Sequence, residues 1–259
     1  MVRLLNRQQV MSVLQMKDCI DILDKAFGEL ANGTAVLPLR VGIKPPGGVS
    51  LYMPAYLQQM NALACKVVTV YKENPSKHNL PTTIGKVLLQ DSETGDVVCI
   101  MDGGYLTAVR TGAVSGLATR LLAREDKGQT ATIFGAGVQA EMQLWGVFEA
   151  RDIKNAMVYD VFPEAAKRFA EKMSEKLNIS ITPETDIDRL LDTDIICTAT
   201  SSPTPLFDGN KLKPGTHING IGSHSPNARE LDSATIKRSL LIADSKEACL
   251  SEAGDIMLP

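Results

Sequence analysis

The sequence lacks the excess of basic residues that nucleic-acid-binding proteins use. Its 27 lysines and arginines are outnumbered by 30 aspartates and glutamates, which gives a formal net charge of −3. A protein that binds a phosphate backbone needs clustered cations to neutralise it. A nucleic-acid partner is therefore not expected.

Long apolar runs are also missing. A membrane-spanning helix needs about 18 or more consecutive apolar residues. The longest uncharged stretch, residues 45–65, contains three prolines, two glutamines and an asparagine. The first seven residues, Met-Val-Arg-Leu-Leu-Asn-Arg, place polar side chains where a signal peptide would have its apolar core. These features predict a cytoplasmic protein that does not enter membranes.

Cysteine is scarce, and its spacing is uninformative for metals. The five cysteines are odd in number and form no C-x-x-C pair, so neither a disulfide framework nor a zinc site is expected. With 44% hydrophobic and 22% charged residues, the chain can bury a full core. This composition excludes disordered proteins and small disulfide-stapled domains.

The pattern of predicted secondary structure changes near residue 124. Residues 18–33 carry apolar side chains at helical spacing, and β-rich runs follow at 49–53, 66–71, 83–89 and 97–101. They predict a largely antiparallel or mixed sheet, followed by a long helix over residues 105–123. The polar stretch 124–129 is the predicted domain boundary, so the first domain is expected to cover residues 1–124.

In residues 125–259, the sequence pattern alternates short buried strands with helices. Strands are predicted at 130–134, 156–159, 194–198, 217–221 and 240–243, and helices at 139–150, 163–176, 187–191 and 246–251. Such alternation is typical of a parallel sheet with helices on both faces. The predicted fold class is therefore α/β: a Rossmann-type doubly wound sheet preceded by an α+β domain.

A G-x-G-x-x-A turn over residues 135–140 lies between a predicted strand and a predicted helix. In dinucleotide-binding proteins, residues matching Gly135 and Gly137 allow a tight turn and close approach of a pyrophosphate to the helix N-terminus. A glycine pattern alone is equally typical of a simple tight turn. Asp160 favours the dinucleotide-binding interpretation. It lies at the end of the next strand, 23 residues after Gly137, where a carboxylate can accept hydrogen bonds from ribose hydroxyls. The same carboxylate would repel a 2′-phosphate, so NAD is favoured over NADP.

Three cations are candidates for binding an anionic substrate. Lys66 opens a β-branched run, and Arg110 lies among small and apolar residues of the predicted helix; Arg40 is the third. A cation in apolar surroundings needs a partner, which can be a ligand carboxylate or an internal salt bridge. For Lys66, an edge-strand lysine that reaches water is an equally good interpretation.

His224 follows the predicted strand 217–221, at the edge where doubly wound sheets bind ligands. An imidazole there could relay a proton at neutral pH. An exposed loop histidine without a catalytic role is the competing interpretation.

Five motifs in order, at residues 66–71, 79–83, 101–113, 135–140 and 217–222, resemble the ornithine cyclodeaminase/mu-crystallin family. The resemblance spans nearly the whole chain. It implies a substrate-binding and dimerisation domain followed by a Rossmann domain, with NAD(P) and an amino or imino acid held in the cleft between, and it implies a homodimer. Members of the family usually continue beyond the position of Pro259, so the second domain is expected to be incomplete at its C-terminal end.

The resemblance also assigns roles to residues. It places Arg40, Lys66 and Arg110 on the substrate carboxylate and its reacting end, with Lys66 or His224 handling the proton. It places the cofactor against Thr82, Val138, Gln139, Asp160, Thr200 and the loop of Ile221, Gly222, Ser223 and His224. Gly135 and Gly137 of the glycine turn and Thr111 complete the expected cofactor-binding residues.

The family contains both oxidoreductases and lyases. Cyclodeaminases carry an aspartate where this chain has His224, so the expected activity is an NAD-dependent oxidoreductase acting on a small α-imino or α-amino acid. A ketimine or cyclic imine reductase and an alanine dehydrogenase both satisfy this description. An ornithine cyclodeaminase that releases ammonia and a non-catalytic, mu-crystallin-like nucleotide-binding protein are the alternatives.

Overall fold

The computed structural model describes residues 1–223 and 225–259. The chain forms two compact units, Met1–Arg110 and Thr111–Pro259. The division falls inside the long helix that was expected to end the first domain. The functional boundary near residue 124 stays a prediction, because compactness alone does not say where one domain's role ends.

The first unit is built on one mixed sheet. Its strands run in the order β1-β7-β6-β5-β4-β2, with β3 also paired to β4. All pairs are antiparallel except β1 with β7, which agrees with the predicted largely antiparallel or mixed sheet. The elements are β1 (Arg3–Leu5), α1 (Arg7–Val13), α2 (Met16–Ala31), β2 (Ala35–Val36), β3 (Val41–Ile43), β4 (Val49–Leu57), β5 (Ala62–Val70), α3 (Asn74–His78), β6 (Thr83–Gln90) and β7 (Val97–Asp102). Helix α4 (Gly103–Leu122) begins in this unit and ends in the second.

The second unit contains a five-stranded sheet in which every strand is parallel to its neighbours. The order is β10-β9-β8-β11-β12. The chain runs outward from β8 and then returns to β11 on the other side of β8, so the order reverses between β8 and β11. The elements are β8 (Gln129–Phe134), α5 (Val138–Ala150), β9 (Ile153–Tyr159), α6 (Pro163–Leu177), β10 (Ser180–Pro183), α7 (Ile187–Leu191), β11 (Ile195–Thr198), β12 (His217–Gly220), α8 (Ser233–Arg238), α9 (Lys246–Glu252) and α10 (Gly254–Met257).

Both faces of this parallel sheet are covered, as expected for strands that read as continuous apolar runs. On one face, α5 and α6 bury side chains such as Leu144 and Phe169 against Ile133 and Val158. On the other, Leu190 of α7 packs with other apolar residues. The Rossmann-type doubly wound sheet predicted from the alternation of strands and helices is confirmed.

One predicted strand is wrong. Residues 240–243 are coil between α8 and α9, and Leu240 is 88% exposed. Within the described residues, β12 is one of the two edge strands of its sheet, the other being β10. An apolar run becomes a strand only when its backbone groups pair with a neighbour, and this segment passes to α9 without pairing.

None of the helices in the described part of the chain has the length and apolar character that a membrane span requires.

Candidate active site

The glycine turn joins β8 to α5 in a conformation that only glycine adopts easily. Gly135 has a φ of 100°, and a Cβ placed there would lie 2.6 Å from the carbonyl oxygen of Ala199. Side chains other than hydrogen are therefore excluded by both backbone strain and collision. The turn packs directly against the chain that leaves β11.

The N-terminus of α5 is open to an anion. Gly137 is its N-cap, and no side chain caps the helix. A Cβ at Gly137 would meet nothing within 4 Å, so the N-cap position itself is not crowded by protein. Among the described residues, the buried side-chain oxygen of Gln139 has no hydrogen-bond partner; as an acceptor it suits a ribose hydroxyl and not a phosphate. Free N–H groups at a helix start attract phosphate, and these residues fit the pyrophosphate of a dinucleotide.

Asp160 is fixed beside this turn. It follows β9, and its Oδ2 accepts a hydrogen bond from the Ala136 N–H at 2.8 Å while its Oδ1 accepts one from the Phe162 N–H at 2.9 Å. A carboxylate has about four acceptor positions, so capacity remains for two ribose hydroxyls. Val161 and Phe162 are exposed next to it and carry no charge. The site therefore suits an unphosphorylated ribose.

The segments after β11 and β12 meet at the same edge of the sheet. Thr198 and Gly220 pair at the ends of the two strands, and the Ile221 N–H donates to the Thr198 carbonyl at 3.1 Å. The carboxyl edge near the reversal of strand order is where doubly wound sheets bind ligands. Thr200, Ile221, Gly222 and Ser223 are thus gathered at one edge. His224, the predicted proton carrier of this loop, lies outside the described residues.

Glu230 also belongs to this edge, and sequence reasoning missed it. Its carboxylate is buried and accepts hydrogen bonds from the backbone of Thr200 and of Gly222. The sequence offers only a weak signal, a glutamate directly before an apolar residue and the Asp232 N-cap of α8. No spacing rule links it to residues 30 positions earlier.

In the first unit, Lys66 lies in the middle of β5, opposite Met53 of β4 and Val87 of β6. It is half-buried, and β5 is an interior strand, so the edge-strand interpretation is wrong. Burial lowers the pKa of the Lys66 ammonium below 10.5, and the positive charge of Arg110 lowers it further. The two cations are therefore close enough to repel each other.

Arg110 itself is exposed near the middle of α4. Its surroundings are therefore less apolar than the sequence indicates, since its neighbours in sequence face other directions around the helix. Arg40 is exposed just before β3, and Thr82 directly precedes β6, where its carbonyl accepts from the Tyr71 N–H at 2.8 Å. Thr111 is half-buried one residue after Arg110. The roles of Arg40, Thr82 and Thr111 stay predictions.

The remaining titratable groups of the described residues form no metal centre. Among the described residues, no three His, Cys, Asp or Glu side chains are grouped closely enough to hold a metal ion. The five cysteines are free, and Cys19, Cys99 and Cys197 are buried. Burial raises the pKa of the Cys197 thiol to about 12, so this thiol stays protonated and unreactive at neutral pH.

A paired cation site and a dinucleotide turn on a Rossmann sheet are the features that the five sequence motifs lead one to expect. The family model described as "Ornithine cyclodeaminase/mu-crystallin family" matches residues 2–258. The chain belongs to this family. The resemblance seen in the sequence is thereby confirmed.

Relatives of this family member are enzymes of amino and imino acids. A Δ1-pyrroline-2-carboxylate reductase of Bacillus cereus is 35% identical over 252 residues, which cover 96% of this chain and 77% of the relative. The solved structure of Thermococcus litoralis Δ1-pyrroline-2-carboxylate reductase in complex with NADH and L-proline is 46% identical, with a TM-score of 0.91 over 99% of this chain and 80% of that one. An archaeal alanine dehydrogenase dimer with bound NAD is 32% identical, with a TM-score of 0.88 over 96% of this chain and 76% of that one.

Proposed function

We propose that this chain is an NADH-dependent reductase of cyclic α-imino acids that converts Δ1-pyrroline-2-carboxylate to L-proline. The observation that carries the proposal is the likeness, at 46% identity over 99% of the chain, to an enzyme solved with NADH and L-proline. The chain's own residues support it, because it has a dinucleotide turn beside Asp160 and a pair of cations at Lys66 and Arg110.

The reaction balances with one hydride and one proton. When bound, NADH supplies a hydride to the carbon of the C=N bond, and the ring nitrogen gains a proton. Arg110 and Lys66 neutralise the substrate carboxylate. Two neighbouring cations bind a carboxylate more strongly than one cation does. Lys66 is suited to give up a proton, because burial and the charge of Arg110 lower its pKa below 10.5. His224 is the other predicted proton donor.

Cofactor choice follows from the second unit. The α5 N-terminus would hold the pyrophosphate, and Asp160 would accept hydrogen bonds from the adenosine ribose. A 2′-phosphate would meet the Asp160 carboxylate and no cation at Val161 or Phe162. NADH is therefore the expected cofactor rather than NADPH.

A substrate panel tests the proposal. NADH absorbance is followed with pyrroline-2-carboxylate, piperideine-2-carboxylate, and pyruvate plus ammonia, beside an ammonia-release assay with ornithine. We expect the five-membered imine to be reduced fastest. Faster turnover of pyruvate with ammonia would mean an alanine dehydrogenase. Ammonia release from ornithine that exceeds imine reduction would mean a cyclodeaminase, and NADH binding without any turnover would mean a non-catalytic binding protein.

We also infer a homodimer formed through the first unit. Among the described strands, β3 pairs only with β4, and its residues Val41 and Ile43 are exposed together with the preceding Leu39. Exposed apolar side chains in a row along a strand favour an interface. Light scattering should give about twice the mass of 28.0 kDa, and Val41→Lys with Ile43→Lys should give the monomer mass.

We also infer a cytoplasmic location, which the free cysteines support.

A further inference from the structure

Glu230 connects the ends of two neighbouring strands with a single carboxylate. Its Oε1 accepts hydrogen bonds from the N–H and the hydroxyl of Thr200, each at 2.6 Å. Its Oε2 accepts one from the Gly222 N–H at 2.7 Å. Thr200 follows β11 and Gly222 follows β12, so one side chain sets the distance between the two loops at the carboxyl edge of the sheet.

The loop backbone is packed directly on this carboxyl group. A Cβ at Gly222 would collide with the Glu230 carboxyl carbon and both of its oxygens. Glu230 is only 1% exposed, so water does not compete for these hydrogen bonds. The position of the loop backbone is thus coupled to the position of the carboxylate with little freedom.

Glu230 is in turn held from the other side. The N–H groups of Glu230 and Leu231 donate to Oδ1 of Asp255 at 2.7 and 2.9 Å. The Asp255 N–H donates to the Ser223 hydroxyl at 3.0 Å, and that hydroxyl donates to the Ala228 carbonyl at 3.1 Å. Residues distant in sequence therefore form one buried network that ends on Ser223, a predicted cofactor contact.

A buried carboxylate is a costly way to join two loops if stability is the only requirement. Burial raises the pKa of Glu230, although the hydrogen bonds from Thr200 and Gly222 oppose the shift. Even a complete buried ion pair can often be replaced by apolar residues of similar size without loss of stability. A carboxylate is better suited than an apolar contact to fix two backbone N–H groups at defined positions, since hydrogen bonds are directional.

We propose that Glu230 is a positioning residue of the NADH site, which fixes the backbone at Thr200 and Gly222 so that residues 200 and 221–223 can contact the cofactor. This inference rests on the proposed function for its cofactor. Glu230 acts through the loops and is not assigned a contact with NADH or the imine.

The structure offers a matched control at the opposite edge of the same sheet. Oδ2 of Asp194 accepts hydrogen bonds from the N–H and hydroxyl of Thr130, at 2.8 and 3.0 Å. It ties the start of β8 to the start of β11, as Glu230 ties the ends of β11 and β12. Asp194→Asn makes the same carboxylate-to-amide change far from the edge that binds ligands. The amide oxygen can still accept from Thr130, so what is lost is the ion pair of Asp194 Oδ1 with Arg124 at 3.1 Å.

The test compares Glu230→Gln with Asp194→Asn in the full chain, measuring NADH dissociation constants by fluorescence, KM for NADH and for the imine, kcat, and Tm. A glutamine has only one acceptor oxygen, so it cannot serve both Thr200 and Gly222. We expect Glu230→Gln to weaken NADH binding by about ten-fold or more, with a parallel rise in KM for NADH. Asp194→Asn should lower Tm but change NADH affinity by less than about two-fold.

NADH affinity within two-fold of the wild type in Glu230→Gln, or an equal loss in Asp194→Asn, would overturn the inference. If Glu230→Gln does not fold, Glu230→Asp takes its place, because it keeps the charge but withdraws the carboxylate by one methylene. It must also weaken NADH binding while Tm stays near that of Asp194→Asn. Wild-type protein that binds NADH but reduces no imine contradicts the proposed substrate alone, whereas protein that does not bind NADH contradicts both.

Discussion

Lys66 carries the clearest conflict between stability and function among the single residues. Burial and the charge of Arg110 lower its pKa below 10.5, so the unfolded chain holds a proton on this lysine more readily than the folded chain. The contribution of Lys66 to the free energy of unfolding therefore rises with pH as the ammonium deprotonates below pH 10.5. At neutral pH the charged group opposes folding, which is typical of residues kept for activity.

Lys66→Met should raise Tm while it reduces kcat/KM by about 100-fold or more, the usual effect of losing a proton donor. NADH affinity should not change, because the dinucleotide turn and Asp160 lie in the other unit. Calorimetry and steady-state kinetics provide the measurements.

Lys86→Met is the control for this prediction. Lys86 lies on the neighbouring strand β6 opposite Val67, so it occupies the other face of the sheet, and it is exposed. It should keep normal kcat/KM. Near-normal turnover in Lys66→Met would remove Lys66 from the proposed site.

Asp160 should decide between the two nicotinamide cofactors. Asp160→Ser removes the charge that repels a 2′-phosphate and two of the hydrogen-bond acceptor sites for the ribose. We expect NADH to bind about ten-fold more weakly and the preference for NADH over NADPH to shrink, as measured by dissociation constants for both.

The control lies at the other end of the same strand. Asp152 precedes β9 and accepts a hydrogen bond from the Gly128 N–H at 3.0 Å. Asp152→Ser removes a similar charge and should leave the ratio of the two constants unchanged. An unaltered ratio in Asp160→Ser would mean that the ribose binds elsewhere.

At the scale of elements, the turn from β8 to α5 separates a folding role from a binding role. Gly135→Ala should cost about 1–3 kcal/mol of stability, because φ is 100° and the new Cβ would meet the Ala199 carbonyl. Gly137 has a φ of −88° and open space around it, so Gly137→Ala should fold with normal Tm and yet weaken NADH binding by narrowing the approach to the helix N-terminus. Denaturation curves and NADH titrations distinguish the two; normal NADH affinity in Gly137→Ala would argue against a pyrophosphate there.

The glycine turn and Asp160 could be predicted because both depend on a short stretch of sequence, which consists of a strand, a turn, a helix and the end of the next strand. The short strand β10 was missed, since its four residues Ser180–Pro183 are too few to establish a period and end in proline. The apolar residues 240–243 were assigned to a strand, although pairing and not hydrophobicity decides that outcome. Glu230 was missed because its partners Thr200, Gly222 and Asp255 are brought together only by the fold.

For the whole molecule, the open question is where the two functional domains divide. The compact units divide at Arg110 and Thr111, inside α4, whereas the change in sequence texture places the boundary at residue 124. We propose that the functional boundary is the exposed turn after α4, residues 124–128. A helix resists proteases because its backbone is hydrogen-bonded and not extended, while an exposed turn can enter the protease site.

Limited trypsin digestion can separate these positions, since Arg110, Arg120, Arg124 and Lys127 are all potential cleavage sites. Arg124 forms an ion pair with Asp194 at 3.1 Å, and the Arg124 carbonyl accepts a hydrogen bond from Arg151 Nε at 3.1 Å. Both interactions should slow cleavage after Arg124. We expect the first lasting internal cut after Lys127, with fragments identified by mass, and a later cut after Arg124. A lasting fragment that begins at Thr111, or one that begins well inside residues 130–230, would show that the chain divides elsewhere.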